Sequence, residues 1–195
     1  MDLSPEQQRA LDYLRRKGTE APVERLREHV AGTFAELEAL LDDVPAALRA
    51  VRPGPGRWSV QEVVDHLVES HRPALAQLRS LVAGERPAGG PVPASLQSAA
   101  PHARRWEDLV AELREIHRGF REVLAEATDD ASLAVTGPVL MVVKVADGAG
   151  ALTPVSSEHE LDWKALAQAF RAHTLQHRDQ IRATLADLVQ APAPS

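Results

Sequence analysis

The stretch HTLQHRDQI, residues 173–181, places two histidines four positions apart where apolar residues recur at helical spacing. At about 100° per residue, His173 and His177 differ by about 40° around a helix, so both face the same side. Buried imidazoles lose hydrogen bonds to water, and one shared metal ion would satisfy both. The spacing alone supports a metal site and a pair of packed core histidines equally. The stripe that contains the pair is apolar and consists of Leu166, Phe170, His173, His177, Ile181, Thr184 and Leu188.

Three further segments show the same helical periodicity, which predicts four long amphipathic helices. The last helix can begin at Asp162, and the second opens with a capping box of Ser59 and Glu62, runs towards Gly84 and should kink or restart near Pro73. Long connections between such helices predict an all-α four-helix bundle with crossover connections. The stripe of the first helix is Val23, Leu26, Val30, Phe34, Leu37 and Leu41, and that of the third is Trp106, Leu109, Leu113, Ile116, Phe120, Val123 and Leu124.

Two segments fall outside this bundle pattern. Ser4, Pro5 and Gln7 form an N-terminal capping signature, which predicts an extra helix within residues 1–20. Residues 133–156 are rich in β-branched side chains and contain the turn signal Asp147-Gly148, which predicts a small β-hairpin-like insert before the last helix. The domain organisation expected is therefore an N-terminal helical extension over 1–20, a bundle over 21–190 and a disordered tail over 191–195.

Composition excludes some classes of function. The 195-residue chain has no cysteine, so no thiolate of its own can act as nucleophile or metal ligand. Its formal net charge is -6 and it has no basic block, which argues against a nucleic-acid partner. The longest apolar run, VLMVV at 139–143, is too short to cross a bilayer, and the first residues lack the apolar core of a signal peptide. We therefore expect a cytoplasmic protein that binds neither nucleic acid nor membrane.

A metal on His173 and His177 needs a third ligand from another helix, and the pattern does not choose it cleanly. The apolar stripe of the second helix centres nearer to His71 than to His66, which lies at its polar edge, so the pattern slightly favours His71. A core role fits His117 better, because it lies beside Ile116 and Phe120. The candidates on other helices are His66, His71, His117 and His29. Of these, His29 has the character of a surface residue, as do His102 and His159, which lie on the surface or in loops.

A second motif decides between them. The run GRWSVQEVVDHLVES, residues 56–70, has a tryptophan eight residues before a histidine-leucine pair. Together with HTLQHRDQI it resembles the DinB-like family of metalloproteins, including its YfiT-type members, over roughly residues 22–189. The resemblance implies a four-helix bundle that binds a divalent metal through three histidines, which here are His66, His173 and His177. His66 thereby replaces His71 as the third ligand.

The resemblance also implies a function. Three imidazoles leave coordination positions open, as in catalytic metal sites, and we expect zinc first and nickel second. Relatives look like transferases or isomerases that use a low-molecular-weight thiol, which fits a chain without cysteine. The expectation is a homodimeric, metal-dependent transferase or hydrolase acting on a small molecule; the alternative is a non-catalytic, stress-associated bundle that binds metal or a partner.

Catalytic residues stay unassigned from the sequence. Glu62 and Glu69 lie one turn before and one turn after His66, within reach of a role as hydrogen-bond acceptor or general base, but solvated helix carboxylates are the simpler interpretation. Gln180 follows His177 by three residues and either hydrogen-bonds in the site or faces a neighbouring helix.

Overall fold

The computed structural model describes residues 3–146 and 151–190. A short N-terminal helix precedes four long helices, and a two-stranded antiparallel hairpin is inserted before the last of them. The elements are α1 (Pro5–Leu14), α2 (Val23–Asp42), α3 (Val60–Val82), α4 (Trp106–Glu126), β1 (Gly137–Ala146), β2 (Leu152–Leu161) and α5 (Trp163–Gln190).

The helices begin where their polar caps predict. Ser4 and Ser59 each accept a hydrogen bond from the backbone N–H three residues later and form complete capping boxes. At the start of α5, the Asp162 carboxylate accepts from the backbone N–H groups of Lys164 and Ala165. Of the kink or restart expected near Pro73, the restart does not occur, because α3 runs unbroken through this residue. Ala74 and Leu75, which follow it, are buried in the core.

The four long helices have a crossed connectivity. Helix α2 packs mainly against α4 and α5, and α3 packs against the same two helices. Consecutive helices α2 and α3 therefore lie diagonally across the bundle, and the chain crosses over between them. The predicted all-α four-helix bundle with crossover connections is confirmed. Its core contains the fully buried side chains of Phe34, Leu67, Leu113, Phe120 and Ile181.

The N-terminal extension is attached to the start of α5. After α1 the chain makes a turn of π-helix, Arg15–Thr19, in which a Cβ at Gly18 would lie only 2.7 Å from the backbone oxygen of Lys164. The close approach requires glycine. Lys164 is itself buried, forms an ion pair with Asp129 and donates to the backbone oxygen of Ala21. These contacts fix α1 beside the C-terminal helix.

The hairpin lies further along the chain than the predicted insert, since it begins at residue 137 rather than 133. Its strands pair in register from Gly137 with Leu161 to Ala146 with Leu152, so it ends at residue 161 rather than 156. The segment SSEHEL, residues 156–161, is too polar to predict a strand, yet it pairs with the apolar first strand. Val139 and Met141 of β1 pack with Leu14 and Leu161, which places the hairpin over α1.

Some expectations fall on undescribed residues. The Asp147-Gly148 turn and the tail 191–195 lie outside the described part of the chain. Within the described part, no helix has both the length and the apolar character needed to cross a membrane.

Candidate metal centre

Three of the eight histidines come together between α3 and α5. His66 projects from α3, and His173 and His177 lie one turn apart on α5. His66 and His177 are buried and His173 is partly buried. One ring nitrogen from each of the three lies within 4.8 Å of the other two, the spacing of a possible metal cluster.

The nitrogens that converge are the Nε2 atoms. His66 Nε2 and His177 Nε2 each lie 3.1 Å from His173 Nε2. A metal ion bonds imidazole nitrogen at about 2.0–2.1 Å, so an ion placed among atoms with this separation can reach all three.

The outer nitrogens of the three rings already have partners. His66 Nδ1 lies 2.7 Å from the backbone oxygen of Leu96, and His177 Nδ1 lies 2.8 Å from Oε1 of Gln180. His173 Nδ1 lies 3.2 Å from Nε2 of His71. Metal-binding histidines in proteins are held in the same way, by a hydrogen bond from the nitrogen that does not bind the metal.

These outer contacts determine which nitrogens carry protons. Oxygen atoms of Leu96 and Gln180 only accept hydrogen bonds, so His66 and His177 carry their proton on Nδ1 and a lone pair on Nε2. Both lone pairs face His173 Nε2, which can donate at most one proton. At least one of the two lone pairs is therefore left without a donor, and a cation at the centre of the cluster would bind it. The residues fit a metal ion.

Burial keeps the three rings uncharged. Burial, reinforced by repulsion from His66, lowers the pKa of His177 to about 4. Burial and the two neighbouring imidazoles hold the pKa of His173 well below its usual value, and burial also lowers the pKa of His66. All three are therefore neutral near pH 7, the form in which imidazole binds a metal.

The triad forms part of the wall of a cavity of about 420 Å³. The rest of the wall comes from other residues of α3 and α5 and from three more regions that lie far apart in sequence, namely α1, the loop at residues 92–94 and strand β1 over residues 139–143. Its polar side chains other than the histidines are neutral, and no charged side chain lines it among the described residues. They are Tyr13, Ser70, Gln77 and Gln176.

The two predicted carboxylates do not reach the triad. Glu62 is buried, completes the capping box of Ser59 and forms a two-pronged ion pair with Arg52, contacts that together lower its pKa to about 2 despite burial. Glu69 pairs with Arg72 and Arg104. Both are held by structural contacts, so Glu62 is not the solvated carboxylate that the sequence favoured. Gln180, by contrast, does contact the site.

The remaining histidines lie elsewhere. His71, which the apolar stripe favoured, is fully buried and touches the triad only through His173 Nδ1. His117 is the predicted core residue, stacked on Phe34 at 3.8 Å between ring centroids. The other histidines do not join the cluster among the described residues: His29 is partly buried on α2, His102 contacts Ser59 and His159 contacts Ser157 on β2.

The sequence did not predict which residues outside the two motifs contribute to the site. Leu96 orients His66 through a backbone oxygen, which carries no side-chain signal, and Tyr13 reaches the cavity from the N-terminal extension. The β-branched residues in and around VLMVV predicted a strand but not which cavity that strand would line.

The fold and the triad define a class, a crossed four-helix bundle with a three-histidine cluster in the wall of a cavity. A family model of the DinB superfamily matches residues 29–181, so the chain belongs to that superfamily. The structure is similar to that of YfiT from Bacillus subtilis, with a TM-score of 0.61 and 15% sequence identity over 97% of this chain and 92% of that one. YfiT is described as a probable metal-dependent hydrolase with an unusual four-helix bundle topology. No curated protein matches the chain.

Proposed function

We propose that the chain is a metal-dependent enzyme in which His66, His173 and His177 hold a divalent ion that acts on a small molecule bound in the adjoining cavity. The observation that carries the proposal is the convergence of three neutral Nε2 atoms in the wall of that cavity. A purely structural metal site is closed on all sides, whereas three ligands beside a cavity leave room for a fourth. The cavity therefore supports an enzyme over the non-catalytic alternative.

A bound divalent ion would supply Lewis-acid activation, lowering the pKa of a water or thiol that reaches its open positions. The protein contributes position and surroundings. Leu96, His71 and Gln180 hold the three rings in orientation through their Nδ1 atoms. Helix α1 and strand β1 contribute mostly apolar side chains to the cavity wall beside the rings.

Two nucleophiles fit this site. With a thiol, the sulfur loses its proton and forms a bond to an electrophilic carbon, while the leaving group departs from that carbon and takes up a proton. With water, the oxygen forms a bond to an acyl carbon, and the leaving group again takes up the proton that water loses. The similarity to YfiT, described as a probable hydrolase, supports water.

The cavity lining supports the thiol. Hydrolysis of an amide usually requires a carboxylate or histidine that transfers a proton to the leaving group. Within the described lining, no carboxylate is present and the three histidines are the proposed ligands. Thiol transfer to a reactive electrophile needs less proton transfer in the transition state. We therefore place thiol transfer first and hydrolysis of an activated ester second, with a largely uncharged substrate in both.

Imidazole ligands suit several divalent metals, and we propose zinc first and nickel second. We further propose that the protein works in the cytoplasm as a homodimer without a nucleic-acid or membrane partner, as expected from its acidic composition and from the family resemblance. Light scattering after size-exclusion chromatography tests the dimer.

The test is a reaction screen on protein loaded with zinc or nickel. Consumption of a generic electrophile is measured with and without a panel of low-molecular-weight thiols, and release of nitrophenol from activated esters is measured in parallel. We expect turnover that needs both metal and thiol and that disappears in His66→Ala but survives in His159→Ala, a matched change on β2. Ester hydrolysis without thiol would identify the second candidate. Metal binding with no turnover in either screen would favour the non-catalytic alternative.

A further inference from the structure

Two more buried histidines lie behind the triad. The side chains of His71 on α3 and His117 on α4 are fully buried, and their ring centroids are 5.6 Å apart. Neither lines the cavity, so neither has a place in the proposed chemistry as a ligand or a substrate contact. Each has one ring nitrogen without a hydrogen-bond partner among the described residues, Nδ1 in His71 and Nε2 in His117.

A carboxylate of α2 determines which nitrogen of His117 carries the proton. His117 Nδ1 lies 2.8 Å from Oε1 of Glu38, a carboxylate that also accepts from Arg121. A carboxylate beside an arginine accepts hydrogen bonds, so His117 carries its proton on Nδ1. Burial lowers the pKa of His117, which keeps the ring neutral, so Nε2 is left as a buried acceptor.

The proposed metal site determines which nitrogen of His71 carries the proton. If His173 Nε2 binds the metal, His173 carries its proton on Nδ1 and donates it to His71 Nε2. A neutral His71 that accepts through Nε2 must hold its proton on Nδ1. Its unpartnered nitrogen is therefore a buried donor.

The two unpartnered atoms are thus complementary, a donor on His71 and an acceptor on His117. Buried polar atoms without protein partners are commonly satisfied by an ordered water, and one water both accepts and donates. We propose that a single buried water joins His71 Nδ1 to His117 Nε2 and completes a hydrogen-bonded chain from Glu38 through His117 and His71 to the ligand His173. The inference rests on the proposed metal site, and it makes Glu38 and His117 positioning residues for that site.

The first test detects the water and the protons directly. In a high-resolution crystal structure of the zinc-loaded protein, we expect one ordered water within hydrogen-bond distance of both atoms. Long-range ¹H–¹⁵N NMR spectra of the same zinc-loaded protein, assigned with His71→Phe and His117→Phe, should show both rings protonated on Nδ1. A direct contact without water, or a proton on Nε2 of His71, would overturn the proposal.

The second test measures the effect on the metal. Zinc affinity, from competition with a chromophoric chelator, should fall about 10–100-fold in His71→Phe, the usual effect of losing a partner of a metal-binding histidine. His117→Phe keeps a ring against Phe34 and should weaken zinc by a smaller factor. Glu24→Gln, which breaks an exposed ion pair on the same helix as Glu38, is the control and should bind as wild type does.

A third pair of variants separates positioning from folding. Glu38→Leu removes the acceptor and should shift the proton of His117 away from Nδ1, whereas Glu38→Gln retains a carbonyl oxygen and should restore the wild-type ¹⁵N signals. Thermal unfolding of each variant shows whether the fold survives. If wild type binds zinc and the His71 and Glu38 variants bind it equally well, the proposed hydrogen-bonded chain is wrong and the proposed metal site stands. If wild type binds no metal, the hydrogen-bonded chain and the metal site are both wrong.

Discussion

Helix α3 presents two polar faces, and neighbouring residues belong to different ones. Asp65 is fully buried, and its carboxylate accepts from the backbone N–H and hydroxyl of Ser98 and from Arg104. His66, the next residue, contacts a backbone oxygen through Nδ1, and its Nε2 lies 3.1 Å from Nε2 of His173 on α5. The face that carries Asp65, the carboxylate face, has its hydrogen-bond partners within the fold. The face that carries His66, the histidine face, leaves a nitrogen lone pair for a ligand. Burial alone therefore does not separate a structural polar group from a functional one.

The two faces are connected by one loop. Ser98 and Arg104, which bind Asp65, lie in the same connection between α3 and α4 as Leu96, whose backbone oxygen orients His66. Arg104 also pairs with Glu69 and Glu112. The carboxylate face thus fixes the loop, and the loop in turn orients a ring of the triad.

The largest contrast is expected from one substitution on each face. His66→Ala should abolish tight metal binding, with an effect beyond the roughly 10–100-fold loss that follows changes to the partners of metal-binding histidines. Glu69→Gln, one turn away on the other face, should bind metal as wild type does. Isothermal titration with zinc measures both. Equal loss in the two variants would show that the faces are not distinct.

The carboxylate face should respond in stability. Asp65→Ala leaves the backbone N–H and the hydroxyl of Ser98 without their acceptor and removes one of the carboxylates that pair with Arg104, and we expect a loss of about 3 kcal/mol in the free energy of unfolding. Urea denaturation measures this loss. The control is Asp42→Asn, which breaks an exposed pair with Arg114 and should cost less than about 1 kcal/mol. Similar losses for the two variants would contradict a structural role for Asp65.

On the histidine face, removing the hydrogen-bond partner of a histidine ring should weaken metal binding less than removing the ring itself. Gln180→Leu removes the acceptor from His177 Nδ1 and should weaken zinc about 10–100-fold while the unfolding temperature stays close to that of wild type. The control is Asp187→Asn, which breaks an exposed ion pair with Arg57 further along α5 and should bind zinc as wild type does. A Gln180 variant that binds zinc as tightly as wild type would mean that this hydrogen bond does not orient the ligand.

The smallest effect concerns pH and the protein without metal. The pKa of His177 is lowered from its ordinary value of 6.5 to about 4, so the unfolded chain takes up a proton below pH 6.5 while the folded chain does not until about pH 4. Stability is therefore retained above pH 6.5 and lost as the pH falls, by about 2 kcal/mol at pH 5 from this group. Urea denaturation at pH 7 and pH 5 tests this, and the difference between the two should be smaller in His177→Phe than in wild type by about the contribution of this group.

Much of this arrangement follows from local rules in the sequence. Capping boxes at Ser4 and Ser59 and the apolar stripes specify where the helices begin and which side is buried. The two histidines of α5 share a face because of their four-residue spacing. The third histidine did not follow from the stripe, which favoured His71, since both His66 and His71 are buried and only the packing of α3 against α5 decides which ring nitrogen reaches the cluster.

The rest depends on long-range contacts that no local pattern encodes. The cavity wall combines α1, the loop at 92–94 and β1 with parts of α3 and α5, segments that lie far apart in the sequence. Glu62 and Glu69 looked available for chemistry because their arginine partners come from other segments, Arg52 and Arg104. Sequence reasoning therefore identified the three histidines that come together between α3 and α5, but not the partners of the polar groups around them.

The central claim is that the histidine face holds a metal. The most direct measurement is the metal content, by elemental mass spectrometry, of tag-free protein purified without added metal, for wild type, His177→Ala and the matched control His159→Ala. The account predicts close to one zinc or nickel per chain in wild type and in the control, and almost none in His177→Ala. Equal metal content in all three proteins, or a wild type that still binds no metal after reloading with zinc and nickel, would contradict it.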